Sequence, residues 1–201
     1  MYVSEARGHL AVLRLDLNKE PLDPAFHYRL QTLAFGNSSV LANPALAARW
    51  ALQAEERLLD DSSGTLTLGI ALWMNKQLDQ AVERFNRAIE LDPSNDYAYH
   101  CRGCVFKDLG RYTDAIADLS KAIELNPRHA WSWHYRGDLS MHYFQRYQEA
   151  LADFDMAIQL EPHPDFYTGR VNAYLELQQF DKALADLDTL SISPKAGQYY
   201  Q

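Results

Sequence analysis

Only two cysteines, Cys101 and Cys104, occur among the 201 residues. A secreted domain of this size held by disulfides usually carries more, so a reducing, cytoplasmic setting is expected. No apolar run approaches the roughly 18–20 residues that a membrane helix needs, and the start, Met1-Tyr2-Val3-Ser4-Glu5-Ala6-Arg7, lacks the basic and apolar blocks of a signal peptide. Positive charge is scarce: 19 Lys and Arg stand against 27 Asp and Glu, a net charge of −8. That balance argues against general nucleic-acid binding. There is no Gly-rich phosphate loop, nucleophile elbow or His-Glu-x-x-His pair. No catalytic residue and no cofactor is therefore expected, and the chain is read as not an enzyme. What is abundant is apolar surface, 47% of residues against 23% charged, the balance of a folded domain.

The chain repeats itself. Leu91-Asp92-Pro93, Leu125-Asn126-Pro127 and Leu160-Glu161-Pro162 close three similar segments, their prolines 34 and then 35 residues apart. Before each lies an Ala-x-x-x-(Phe/Leu)-x-x-Ala pattern: Ala81, Phe85, Ala88; Ala115, Leu119, Ala122; Ala150, Phe154, Ala157. Earlier still come Gly69, Gly103 and Gly137, and a weaker fourth copy runs from Tyr167 to Pro194 with Val171 in place of the glycine. Small residues let two helices approach, large ones fill the remaining space, and proline ends a helix interior. Each unit therefore reads as two antiparallel helices of roughly 12–14 residues. Between Gly137 and Tyr147 there is one residue more than between Gly103 and Tyr112. The turn or the last helical turn before it is expected to absorb the extra residue, in preference to a π-bulge.

This pattern resembles the tetratricopeptide repeat family over residues 62–194. The resemblance implies an all-α fold, a right-handed α-solenoid of helix hairpins with an N-terminal helical cap. With Ser62, Asp96, Ala130 and Pro164 as first positions, the repeats span 62–95, 96–129, 130–163 and 164–197, the last degenerate, with 198–201 as a tail. Residues 1–61 read as the cap, and 24–61 as a degenerate repeat within it, because Asp23-Pro24 and Asn43-Pro44 are plausible helix starts.

In this family the first helices line a concave groove, which implies a protein or peptide ligand and an interaction adaptor. The positions that point inward place Tyr97, His100, Cys104 and Lys107 in one repeat, Trp131, His134, Asp138, Met141 and His142 in the next, and Asn172, Leu175 and Glu176 in the last. The expected partner-binding set is Tyr97, His100, Cys104, Lys107, Trp131, His134, Asp138 and Asn172, since Tyr and Trp offer large contact area with a polar handle. Leu66, Ile70, Trp73 and Met74 form a candidate apolar patch that is either a second binding surface or covered by the N-terminal residues. The paired lysines and asparagines with which some members grip a C-terminal carboxylate are missing: Leu66/Ile70, His100/Cys104, His134/Asp138 and Thr168/Asn172 stand there.

Alternative readings are a dedicated chaperone or neutralising inhibitor of one effector, its acidic charge complementing a basic client, and a metal-binding protein using His100, Cys104, His134, Asp138 and His142. Adjacent helices stand ~8–10 Å apart, too far for most such ligands to converge, so no metal is expected. Cys101-Arg102-Gly103-Cys104 falls mid-helix, away from the helix start that activates a thiol. Asp114, Asp118, Asp153, Asp155 and Asp186 are expected on a solvated outer face. The last helix offers Phe180, Leu184, Leu187 and Leu190 with no capping element legible after it, so self-association through that helix is a further expectation.

Overall fold

The computed structural model describes residues 62–192, and the expected cap, the degenerate repeat at 24–61 and the tail lie outside them. The described residues form eight α-helices and no strand: α1 Ser62–Met74, α2 Leu78–Leu91, α3 Asp96–Asp108, α4 Tyr112–Leu125, α5 Ala130–Phe144, α6 Tyr147–Leu160, α7 Pro164–Glu176 and α8 Phe180–Ile192. The first helices of the hairpins begin at Ser62, Asp96, Ala130 and Pro164, the residues that open each repeat in the register above. Contacts divide the chain into two units, Met1–Val105 and Phe106–Gln201. No helix among the described residues is long and apolar enough to cross a membrane.

The hairpins join by one device. Lys76, Gly110, Gln145 and Gln178 each take a left-handed conformation between first and second helix, with φ of 63°, 75°, 54° and 57°. That bend lets the next amide reach back: Gln77 N–H donates to the Leu72 carbonyl, Arg111 to Phe106 and Gln179 to Tyr174. At α5 the surplus residue enters the last turn. The helix runs 15 residues instead of 13, Gln145 N–H donates to the Ser140 carbonyl, and so does Arg146 N–H at 2.9 Å. These bonds span five and six residues, a widened end and not a bulge within the helix. The loop after α6 then has three residues (161–163) where those after α2 and α4 have four, so α7 starts 34 residues after α5.

Side chains brace the connections between hairpins. Asp92 accepts from the Ser94 backbone N–H at 3.0 Å and Asn126 from Arg128 N–H at 3.1 Å, Asx turns that set the first two proline loops. Asn95 accepts from Ala98 N–H at 3.1 Å and so caps α3. His163 Nδ1 accepts from Asp165 N–H at 3.3 Å and caps α7, with Pro164 in the first turn.

In the first unit, α1 packs on α2. A Cβ on Gly69 would stand 2.7 Å from Phe85 Cε1, so only glycine allows this approach. In the second unit α4, α5, α6, α7 and α8 pack each against the next, and α7 also touches α5. Phe154 of α6 is the centre of this stack. It is fully buried, and a Cβ would stand 3.1 Å from it on Gly137 of α5 and 2.6 Å from it on Gly169 of α7. Met141, Ala150, Leu151 and Ala173 surround it.

A second set of contacts corrects the expectation of a solvated acidic face. Asp118, Asp153 and Asp186 are buried, at 7%, 5% and 6% exposure. Arg136 of α5 donates to both Asp153 oxygens, at 2.9 and 2.7 Å, and to Ser120 Oγ of α4 at 3.3 Å. Arg170 of α7 does the same with Asp186 of α8, at 2.8 and 2.6 Å, and reaches Asp155 of α6 at 2.6 Å. In the first unit Arg102 donates to Asn86 Oδ1 at 2.7 Å. The arginine at the seventh position of these repeats is thus a polar staple that joins helices, and Asp153 and Asp186 are buried because a bidentate cation meets them. Only Asp114 and Asp155 of the five are exposed.

Candidate functional site

In the first unit the apolar candidates on α1 divide. Leu66 and Ile70 are buried, at 5% and 1% exposure, while Trp73 and Met74 are half-buried. On α3 the Tyr97 ring stacks on His100, centroids 5.8 Å apart and planes at 11°. His100 Nε2 stands 3.8 Å from Cys104 Sγ, and both residues are buried, which leaves half-buried Tyr97 as the accessible member of the group. Cys101 is buried too, and burial together with nearby Cys104 pushes its thiol well above the usual range. Neither cysteine forms a disulfide, and a protonated buried thiol is a poor nucleophile.

In the second unit Lys107 places its ammonium 4.7 Å from the centre of the Tyr135 ring. Trp131 packs edge-on against Phe166 and His163 of the next repeat, centroids 4.8 and 4.9 Å away, and against His134 at 5.6 Å. His134 is itself enclosed by Tyr135, Phe154 and Phe166, at 5.3, 5.7 and 5.0 Å. Its Nδ1 is buried without a hydrogen-bond partner. Burial lowers its pKa, outweighing the opposite pull of Asp138 and Asp165, so the ring is held neutral. Trp131 and His134 therefore belong largely to the seam between repeats, and both are half-buried.

Asp138 Oδ1 stands 3.2 Å from His142 Nε2, one turn along α5. His142 and Asn172 are exposed. They meet in an open cleft of about 300 Å³ between α5 and α7, lined also by Met141, Leu175 and Glu176. Tyr147 lines it as well, and burial together with the nearby Glu176 carboxylate raises its pKa. The cleft has an apolar floor of Met141 and Leu175, an amide that can both donate and accept, and a negative rim. Among the described residues no group of three His, Cys, Asp or Glu side chains is arranged to hold a metal.

Sequence reasoning placed Met141, His142, Leu175 and Glu176 among the inward positions but left them out of the expected binding set. It missed the arginine staples altogether. The signal was present: Arg102, Arg136 and Arg170 recur 34 residues apart, with Asp118, Asp153 and Asp186 as a second column.

Models of the tetratricopeptide repeat match residues 71–110, 97–129 and 143–196. No curated protein matches the chain. Among solved structures, MamA from Desulfovibrio magneticus RS-1, taken from residue 41 to its end, superposes with a TM-score of 0.65 at 18% identity, covering 81% of this chain and 88% of that one. The Arabidopsis OM64 TPR domain gives 0.55 at 27% identity, over 58% and 96%. The first TPR of Spaghetti (RPAP3), bound to the HSP90 peptide SRMEEVD, gives 0.57 at 19% identity, over 59% and 94%.

Proposed function

Since the chain belongs to the tetratricopeptide repeat family, we propose that it is a non-catalytic protein–protein interaction adaptor that holds a peptide or protein segment on its first helices. The observation that carries this reading is the cleft between α5 and α7, where inward positions of successive repeats converge. Asn172 reads the ligand backbone through its amide, and Met141 and Leu175 take an apolar side chain. Lys107 of α3, with Asp138 and the outer edge of Trp131 on α5, extends that surface. The HSP90 peptide in the Spaghetti complex ends in two glutamates, a valine and an aspartate. Asp138 and Glu176 would repel such a segment, so the ligand here is neutral or basic.

The test is affinity purification from the native source with mass spectrometry, repeated with His142→Ala, Asn172→Ala and Glu176→Ala combined. All three residues are exposed, so helical circular dichroism should be unchanged while the co-purified proteins are lost. Undiminished capture by the triple variant would refute the site.

A further inference from the structure

The last hairpin repeats the surface that its predecessor buries. In the α5–α6 hairpin, Met141, Leu151 and Phe154 are 3%, 8% and 0% exposed, and half-buried Tyr147 packs beside them. The residues that fill this surface come from α7: Ala173, Tyr174 and, just beyond its end, Leu177. Arg170 adds an ion pair to Asp155 at 2.6 Å. In the α7–α8 hairpin the equivalent positions are Leu175, Phe180, Leu184 and Leu187, exposed by 45%, 58%, 58% and 45%. The equivalent of Asp155 is Asp188, also exposed. Phe180, Leu184, Leu187 and Asp188 share one side of α8 by their spacing of four, three and one.

We infer that this face of α8 is a docking site for a single amphipathic helix of another protein, one that carries arginine, a small residue, an aromatic and an aliphatic residue at i, i+3, i+4 and i+7. The α6–α7 junction supplies the template. There Arg170-x-x-Ala173-Tyr174-x-x-Leu177 lies on a surface of the same residue classes, and its arginine meets the acid that Asp188 repeats. A helix laid on α8 in the same way sets its small residue over Ala183 and Leu187, its aromatic and aliphatic residues along Phe180 and Leu184, and its arginine on Asp188. The charge is complementary, since an exposed carboxylate borders an apolar stripe and selects a basic helix over an acidic one. Leu175 borders both this face and the ligand cleft, but Leu184 and Asp188 belong to this face alone, so the site does not depend on the function proposed above.

The probe is a stapled, fluorescent peptide with the sequence of residues 164–179, titrated against the full chain and followed by anisotropy. Saturable one-to-one binding is expected. Leu184→Asp in the chain should weaken it about ten-fold or more, with helical circular dichroism unchanged because Leu184 is at the surface. Asp188→Arg should weaken it about two- to five-fold, and a peptide with Arg170→Glu should recover that loss. Absence of saturable binding, or equal binding by the Leu184→Asp chain, would overturn the inference. So would a dimer of the chain alone, seen by sedimentation and dissolved by Leu184→Asp, because the face would then belong to a second copy.

Discussion

Removing either end of the Arg136–Asp153 staple should destabilise the protein, and the two ends should not be equal. Breaking a buried pair by deleting one partner costs about 3–5 kcal/mol. The Asp153 side chain keeps 7% exposure and that of Arg136 24%. In Asp153→Ala the guanidinium can turn to water and retain Ser120, so the cost falls to about 2 kcal/mol. In Arg136→Met the carboxylate stays largely out of water, and about 3 kcal/mol is expected. In a chain of this length that corresponds to roughly 4–8 °C and 6–12 °C in Tm. Urea unfolding followed by circular dichroism at pH 7 measures both. Burial already pushes the Asp153 carboxyl above its ordinary range, against the pull of Arg136. Without Arg136 that rise is larger, the folded state binds the proton more tightly than the unfolded one, and the deficit of Arg136→Met should shrink as the pH is lowered. If both variants unfold within about 0.5 kcal/mol of the parent, as surface charge changes do, the staple is only solvated surface and the reasoning fails.

Gly169→Ala should cost about 1 kcal/mol, because overpacking against Phe154, at about 1–3 kcal/mol, exceeds the helix-propensity gain of about 1 kcal/mol; in a Phe154→Leu background the same change should stabilise, and an unchanged sign in chemical denaturation would disprove the contact. Gln178→Gly should stabilise by about 0.5 kcal/mol by relieving a left-handed residue. Gly110→Ala should destabilise by about 1 kcal/mol although the space around it is open, and thermal melts of the two variants should move in opposite directions. His134 is held neutral when folded, with its pKa depressed by burial. The unfolded chain therefore takes up a proton first, and the contribution of His134 to stability is lost as the pH falls below its unfolded value of about 6.5. His134→Phe should flatten that part of the pH–stability profile, and an unaltered profile would show that another group titrates there.

The hairpins were legible because their chemistry recurs. The four first positions opened four helices, and the glycines stood where Phe85 and Phe154 come close. The aspartates were misread because charge was judged residue by residue, whereas Asp153 and Asp186 are buried by an arginine on another helix. The left-handed turns at Lys76, Gln145 and Gln178 left no mark, since side-chain type announces that conformation reliably only for glycine or asparagine. Within the candidate site, position along the helix gave an expectation of which side chains face inward but not of how much of each is consumed by its neighbours. His100 and Cys104 are buried, and the rings of Trp131 and His134 are mostly engaged with Phe166, so the accessible cleft lies farther along, at His142, Asn172 and Glu176.

The widened end of α5 has a consequence for how such a chain tolerates change in length. One residue is taken up at the crest of the hairpin and one is given back in the loop at its foot, so the pitch from Ala130 to Pro164 matches that of the other units. A slip that would otherwise shift every later side chain by 100° about its helix is cancelled within a single hairpin. Its trace stays at the crest, where Tyr143 stands outward and lies on Tyr112 with ring centres 3.5 Å apart. Crests can therefore drift in length and composition while the seams keep step, and novelty in such an array is expected to gather at the crests first.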